Sequence, residues 1–210
     1  MKLWGTRKMW TYALLGIGYG FAAAVQPGPL QTYLISQALL KGWRRSLPSA
    51  LAPLISDGPI IAICLLVLSQ VPIGFQRFLY LAGGSFVLYL AYGTFKSWKN
   101  FDPQLPASET SSGGSLWKAA LTNTLAPGAY LFWTLVTGPI LIRGWRETPI
   151  HGISLLAGFY VTMILSLAAM IILFGSARQL GPRISRALLS ISAIALFCFG
   201  SYQVWLGFSS

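Results

Sequence analysis

Long apolar runs without charge alternate along this chain with short charged clusters. The uncharged runs are 9–40, 78–95, 119–142, 148–177 and 187–210, and a sixth, 46–76, is interrupted by Asp57 alone. About 20 apolar residues cross a bilayer core of about 30 Å, so this pattern predicts six transmembrane helices and leaves almost nothing for a soluble domain. The expected fold is all-α integral membrane, residues 1–210 forming a single membrane domain.

The pattern also repeats. "PGPLQTYLISQALLKGWRR" from Pro27 is echoed by "PGAYLFWTLVTGPILIRGWRE" from Pro127, and "GSFVLYL" at 84–90 by "GSYQVWL" at 200–206, in the same order. The chain therefore divides into two three-helix repeats, about 1–100 and 115–210. The stretch "NFDPQLPASETSSGG", rich in Ser, Pro and Gly, joins them as a loop without a core of its own. An odd number of helices per repeat forces the second copy to cross the bilayer the other way. The expectation is two inverted repeats, with helices 1 and 4 broken at Pro-Gly. Loops 1–2, 3–4 and 5–6 carry nine of the fifteen Lys and Arg. That bias places both termini outside a multi-pass cell membrane, although the first helix has three basic residues on each side.

Composition agrees with this reading. Hydrophobic residues make up 55% and charged residues 9%, against roughly 25% charged in a soluble domain. Seven of eight tryptophans, Trp4, Trp10, Trp43, Trp98, Trp117, Trp145 and Trp205, lie near span ends, where indoles sit among headgroups, and only Trp133 is well inside a span. The net charge of +11 comes from basic clusters between apolar runs, which suits lipid phosphates rather than nucleic acid. Cys64 and Cys198 lie far apart inside apolar runs and read as small buried hydrophobes. Lys2, Arg7 and Lys8 before an apolar stretch and Ala22–Ala24 resemble a signal peptide, but the run continues to Leu40 and the repeat needs this segment.

Candidate chemistry centres on three features near mid-span: Pro27, Pro127 and Asp57. Proline removes a helical hydrogen bond, and broken backbone at this depth is tolerated where it is buried in protein or lines a wet cavity. Pro29, after Gly28, suits the first position of a new half-helix whose free N–H groups would favour an anion such as a carboxylate. Asp57 is the only acidic residue inside a span, costing about 2.5–3.5 kcal/mol at the bilayer centre, and its carboxyl can carry a proton or pair with a substrate cation. The polar groups near the breaks are Gln26, Gln31, Thr32, Tyr33, Asn123, Thr124 and Tyr130, each of which also suits a plain helix–helix hydrogen bond. The expected solute site comprises Gln26, Pro27, Gly28, Pro29, Gln31, Tyr33, Asp57, Asn123, Pro127, Gly128 and Tyr130. Its carboxylate contacts fall at Gly28 and Gly128, its ammonium contact and the coupling ion at Asp57.

With Pro27-Gly28-Pro29, the Gly42/Arg44 loop, Asp57, "LAGGSFVLYLAYGTFK" and the Asn123/Pro127 pair in place, the chain resembles the LysE/RhtB family of amino-acid exporters over most of its length. The resemblance implies a six-helix exporter of amino acids or related small metabolites. It further implies antiport against a proton or sodium, no cofactor, and a homodimer as a form of assembly. Two departures stand out: the family commonly has Asn-Pro-Lys where this chain has Ala126-Pro127-Gly128, and Pro48 and Pro53 replace small residues before the acid. Two other classes are weighed against export. A cation or metal transporter would have one acid and no in-span His where hard cations want several carboxylates, and a non-transporting scaffold would leave the breaks without purpose. An enzyme lacks its parts: there is no HExxH, no GxSxG and no paired acid.

Overall fold

The computed structural model describes residues 2–66, 73–99, 112–177 and 181–209. Most of the expected linker, 100–111, lies outside them, while Ser112–Gly114 already belong to a helix. All described elements are helical.

Helix α1, Lys2–Val25, stops before Gln26, and α2, Pro29–Lys41, starts after Gly28. The break has a local cause. Pro27 cannot donate to Ala23 and Pro29 cannot donate to Val25, so two i→i−4 bonds are lost in succession. Gly42, at φ 78°, then ends α2 in a conformation that favours glycine. The short α3, Trp43–Ser46, leads through a 3₁₀ turn, Leu47–Leu51, into α4, Ala52–Leu66, and Pro48 and Pro53 account for the tight turn because neither supplies a backbone donor. Helix α5 is Ile73–Lys99.

The second half opens with α6, Ser112–Thr124, which breaks at Leu125 and Ala126 before α7, Pro127–Phe132. A π-helical turn, Trp133–Thr137, follows and runs into α8, Gly138–Glu147. The N–H of Gly138 reaches the carbonyl of Trp133, and Pro139 cannot donate to Leu135, which removes the bond that would hold a narrower turn. This segment is two residues longer than its echo from Pro27. Its "RGWR" tetrad stays helical in α8, whereas "KGWR" breaks at Gly42. Thr148 precedes Pro149, adopts an extended backbone, and separates α8 from α9, Pro149–Ala177. Helix α10 is Pro182–Ser209.

Two close pairings frame the bundle: α1 lies along α9, and α5 along α10. Glycines permit both. Gly16 and Gly20 bring α1 against the backbone of Leu155 and Phe159, and Gly158 meets the carbonyl of Ala13. Rising numbers meet rising numbers, so α1 and α9 run parallel. Gly84 faces Gly200 and Val204, while Gly200 faces Gly84 and Leu88, so α5 and α10 run antiparallel. Phe78, Tyr92, Phe95, Leu165, Leu173, Phe197 and Trp205 point outward and are exposed, an apolar exterior suited to lipid.

Among the described residues, four helical segments are long and apolar enough to cross a membrane: Trp43–Cys64, Arg77–Lys99, Pro149–Ala177 and Arg183–Ser209. The bent pair Gly114–Thr124 and Pro127–Glu147, angled by 59°, makes a fifth when its two halves are counted as one broken span. The chain is thus an all-α, multi-pass membrane protein. The pair α1 and α2, expected as the first span, is not among these five, so the six-span count goes beyond what these lengths and hydropathies establish.

Candidate functional site

Asp57 sits on the second turn of α4 and is only 2% exposed. Pro59, two residues on, leaves the carbonyl of Ile55 without its usual helical donor. Across from it, Asn123 at the last turn of α6 spends both amide hydrogens on α4: Nδ2 donates to Asp57 Oδ1 at 2.7 Å and to Ser56 Oγ at 2.7 Å. The hydroxyl of Ser56 donates onward to the Ala52 carbonyl at 3.1 Å. Tyr160 of α9 donates its hydroxyl to Asp57 Oδ2 at 3.4 Å, and the side chain of Trp133 in the π turn also hydrogen-bonds to the carboxylate. Three elements, α6, α9 and the π turn, thus supply neutral partners to one buried acid, and no ion pair to it occurs among the described residues.

An aromatic cluster adjoins this network through Trp133 and Tyr160. Trp133 meets Phe159 edge-on at 5.2 Å between ring centroids, Phe159 meets Tyr160 at 5.1 Å, and Phe132 meets Phe159 at 5.9 Å. Burial among apolar rings lowers the local dielectric, which strengthens a polar contact made there. A carboxylate accepts at about four lone-pair positions, and here neutral donors take them.

The second break adjoins this acid. Pro127 is buried, and the N–H of Ala126 bonds to the Asn123 carbonyl at 3.1 Å in place of the donor that Pro127 lacks. Helix α7 begins at Pro127 with Ala126 as its N-cap, so the half-helix N-terminus expected at Gly128 lies one residue earlier, and Gly128 is exposed. Tyr130 is buried against Phe75 at 5.4 Å, and its carbonyl accepts from the Cys64 thiol at 3.7 Å. On α5, Gly83 presses directly on the Leu125 carbonyl, so the break rests against a neighbouring backbone.

The first break is built differently. Gly28 is the N-cap of α2 and Pro29 its first residue, as expected, with no side chain capping the free N–H groups. Gln31 mends the interrupted backbone, because its Nε2 donates to the Ala23 carbonyl at 3.0 Å, the acceptor that Pro27 leaves open, and lies 3.4 Å from that of Ala24. Thr32 donates its hydroxyl to the Gly28 carbonyl at 2.9 Å, while Gln26 and Pro27 are exposed. The hydrogen bonds of this break stay within its own segment. Tyr33 bonds instead to Ser115 of α6, away from Asp57.

Sequence reasoning missed Tyr160, Ser56 and Trp133. Only the last carried a signal, as the one tryptophan far from a span end. Among the described residues, no three of His, Cys, Asp and Glu come together as a metal set.

The two interrupted helices and the buried acid held by neutral donors beside one of them belong to a helical bundle of membrane-spanning length, an architecture compatible with a membrane transporter. Residues 21–206 match the family model described as LysE type translocator, and the chain belongs to that family. No curated protein and no solved structure matches the chain.

Proposed function

We propose that this transporter exports amino acids or related small metabolites by ion-coupled antiport, using a site between two inverted three-helix repeats that together make six spans. The observation that carries the reading is the Asp57 network. An ionisable group stands beside the broken helix, satisfied by donors from α6, α9 and the π turn that can each be exchanged for a ligand. A solute's ammonium, or a proton once the solute has left, takes over a position on the carboxylate.

Inverted repeats gain support from the α5–α10 contact. Gly84 and Leu88 occupy the same places in their repeat as Gly200 and Val204, and each glycine packs on its counterpart in a reciprocal antiparallel contact, the pattern that a two-fold axis in the membrane plane generates. The breaks at Pro27 and Pro127 obey the same correspondence.

Counterflow of labelled amino acids in proteoliposomes tests the proposal. Wild-type protein should exchange at least one amino acid and respond to an imposed pH gradient, and Asp57→Asn should lose that response. An unchanged response in the variant would remove Asp57 from the coupling mechanism.

A further inference from the structure

A second polar cluster lies between α2 and α6, away from Asp57. Lys41 Nζ donates to Ser115 Oγ at 2.6 Å, and Ser115 donates to Gln37 Oε1 at 3.1 Å. Tyr33 also hydrogen-bonds to Ser115. Tyr33, Gln37 and Lys41 recur every four residues and so form one stripe on α2. Lys118, on the next turn of α6, acts on Lys41 as a like charge, and its ammonium lies over the Tyr89 ring at 5.4 Å. Neither lysine is paired with a carboxylate among the described residues.

Among the described residues, two cations therefore act on one another with no acid paired to either, and Lys41 is drawn inward by buried Ser115 and Gln37. An ammonium has three donors, of which Lys41 spends one on Ser115. The remainder suit an anion. Ser115 also shares a stripe of α6 with Ala119 and Asn123, which lies eight residues on, about 12 Å along the axis. The same helix face thus leads from Lys41 to the amide that holds Asp57.

We infer that Lys41, Lys118 and Ser115 form an anion-binding mouth that receives the carboxylate of the transported solute before it moves along α6 to Asp57. The inference rests on the transport reading above, and it adds where the solute is first held and by which of its groups. Lys41 and Ser115 lie at the end carrying loops 1–2 and 3–4, which the basic residues favour as cytoplasmic, the loading side of an exporter.

The test needs no transport, so its failure is distinguishable from that of the transport reading. In a Cys64→Ser, Cys198→Ser background, Ser115→Cys is exposed in phosphatidylcholine vesicles to a sulfonate-bearing and to a trimethylammonium-bearing methanethiosulfonate. The anionic reagent should react about tenfold or more faster. Lys41→Gln should remove most of that preference and Lys41→Arg should keep it, and acetate at constant ionic strength should slow the reaction where methylammonium does not. No labelling by either reagent, equal rates, or a preference untouched by Lys41→Gln would overturn the inference. Loss of the preference on adding phosphatidylglycerol, without competition by acetate, would assign the cations to lipid phosphate and overturn it as well. With Ser115 left in place, thermal melting supplies a second measurement: acetate should raise the melting temperature of the native chain and not that of Lys41→Gln, and equal shifts would count against the site.

Discussion

Asn123 on α6 and Asp57 on α4 are joined by a 2.7 Å hydrogen bond, and the same amide reaches Ser56 at 2.7 Å. One side chain therefore ties the end of a broken helix to the buried acid. Asn123→Ala leaves Ser56 and Asp57 each short of a buried partner, at an expected cost of about 1–3 kcal/mol. Thermal melting in detergent should show the loss, and counterflow should fall by an order of magnitude or more. Full counterflow in a folded Asn123→Ala protein would show that the break and the acid act independently.

Gly83 touches the carbonyl of Leu125. A methyl group there has nowhere to go but into backbone, so Gly83→Ala should push the second break away from α5 at a cost of about 1–3 kcal/mol and depress exchange with it. Gly93 on the same helix has nothing within 4 Å of an added Cβ, so Gly93→Ala should be neutral or gain up to about 1 kcal/mol. Equal effects of the two substitutions would refute the contact.

The reciprocal packing of Gly84 and Gly200 makes a different forecast. An added Cβ on Gly84 comes within 2.8 Å of Val204, and one on Gly200 within 2.8 Å of Leu88. Each alanine should therefore destabilise by a similar amount. Because both act by separating the same two helices, the double variant should cost less than the sum. Strict additivity in melting experiments would argue against a shared contact.

Gln31→Leu should destabilise the fold by about 1–3 kcal/mol, because the Ala23 carbonyl loses its donor at a site where Pro27 supplies none. Half-saturation for solute should stay where it is. A large rise in half-saturation with unchanged melting would return Gln31 to the solute site.

At the corner between α8 and α9, Glu147 accepts from Lys8 of α1 at 3.2 Å and lies 3.6 Å from Arg143 and 3.4 Å from His151. The hydrogen bond from Lys8 and the surrounding positive charge hold its carboxyl below the usual range. A depressed carboxyl pKa stabilises the fold above the ordinary glutamate value of about 4.3, and that contribution is lost as pH falls through the lower folded value. Melting followed downward from pH 6 should show a small acid-side loss that Glu147→Gln removes and that salt weakens. An identical acid limb in the variant would exclude Glu147 as its source.

Several of these features were legible in the chain because they follow from what single residues cannot do. Proline cannot donate, so breaks at Pro27 and Pro127 and the half-helix starting at Pro29 could be read directly, and apolar runs of bilayer length announced a membrane protein. The isolation of Asp57 among apolar residues was equally plain. Of its partners, Asn123 was among the expected site residues, whereas Tyr160, 103 residues away along the chain, was not. No local period links such positions.

The sequence by itself determined the membrane class, the places where helices break and the position of the lone in-span acid, since each depends on hydropathy or on backbone donors within a few residues. Only the tertiary structure decided which break adjoins that acid, that Gln31 mends the first break, and that Lys41 of α2 reaches Ser115 of α6. Those outcomes depend on how closely glycine-lined helices approach and at what angle they cross, and both are set by packing between segments distant in the chain.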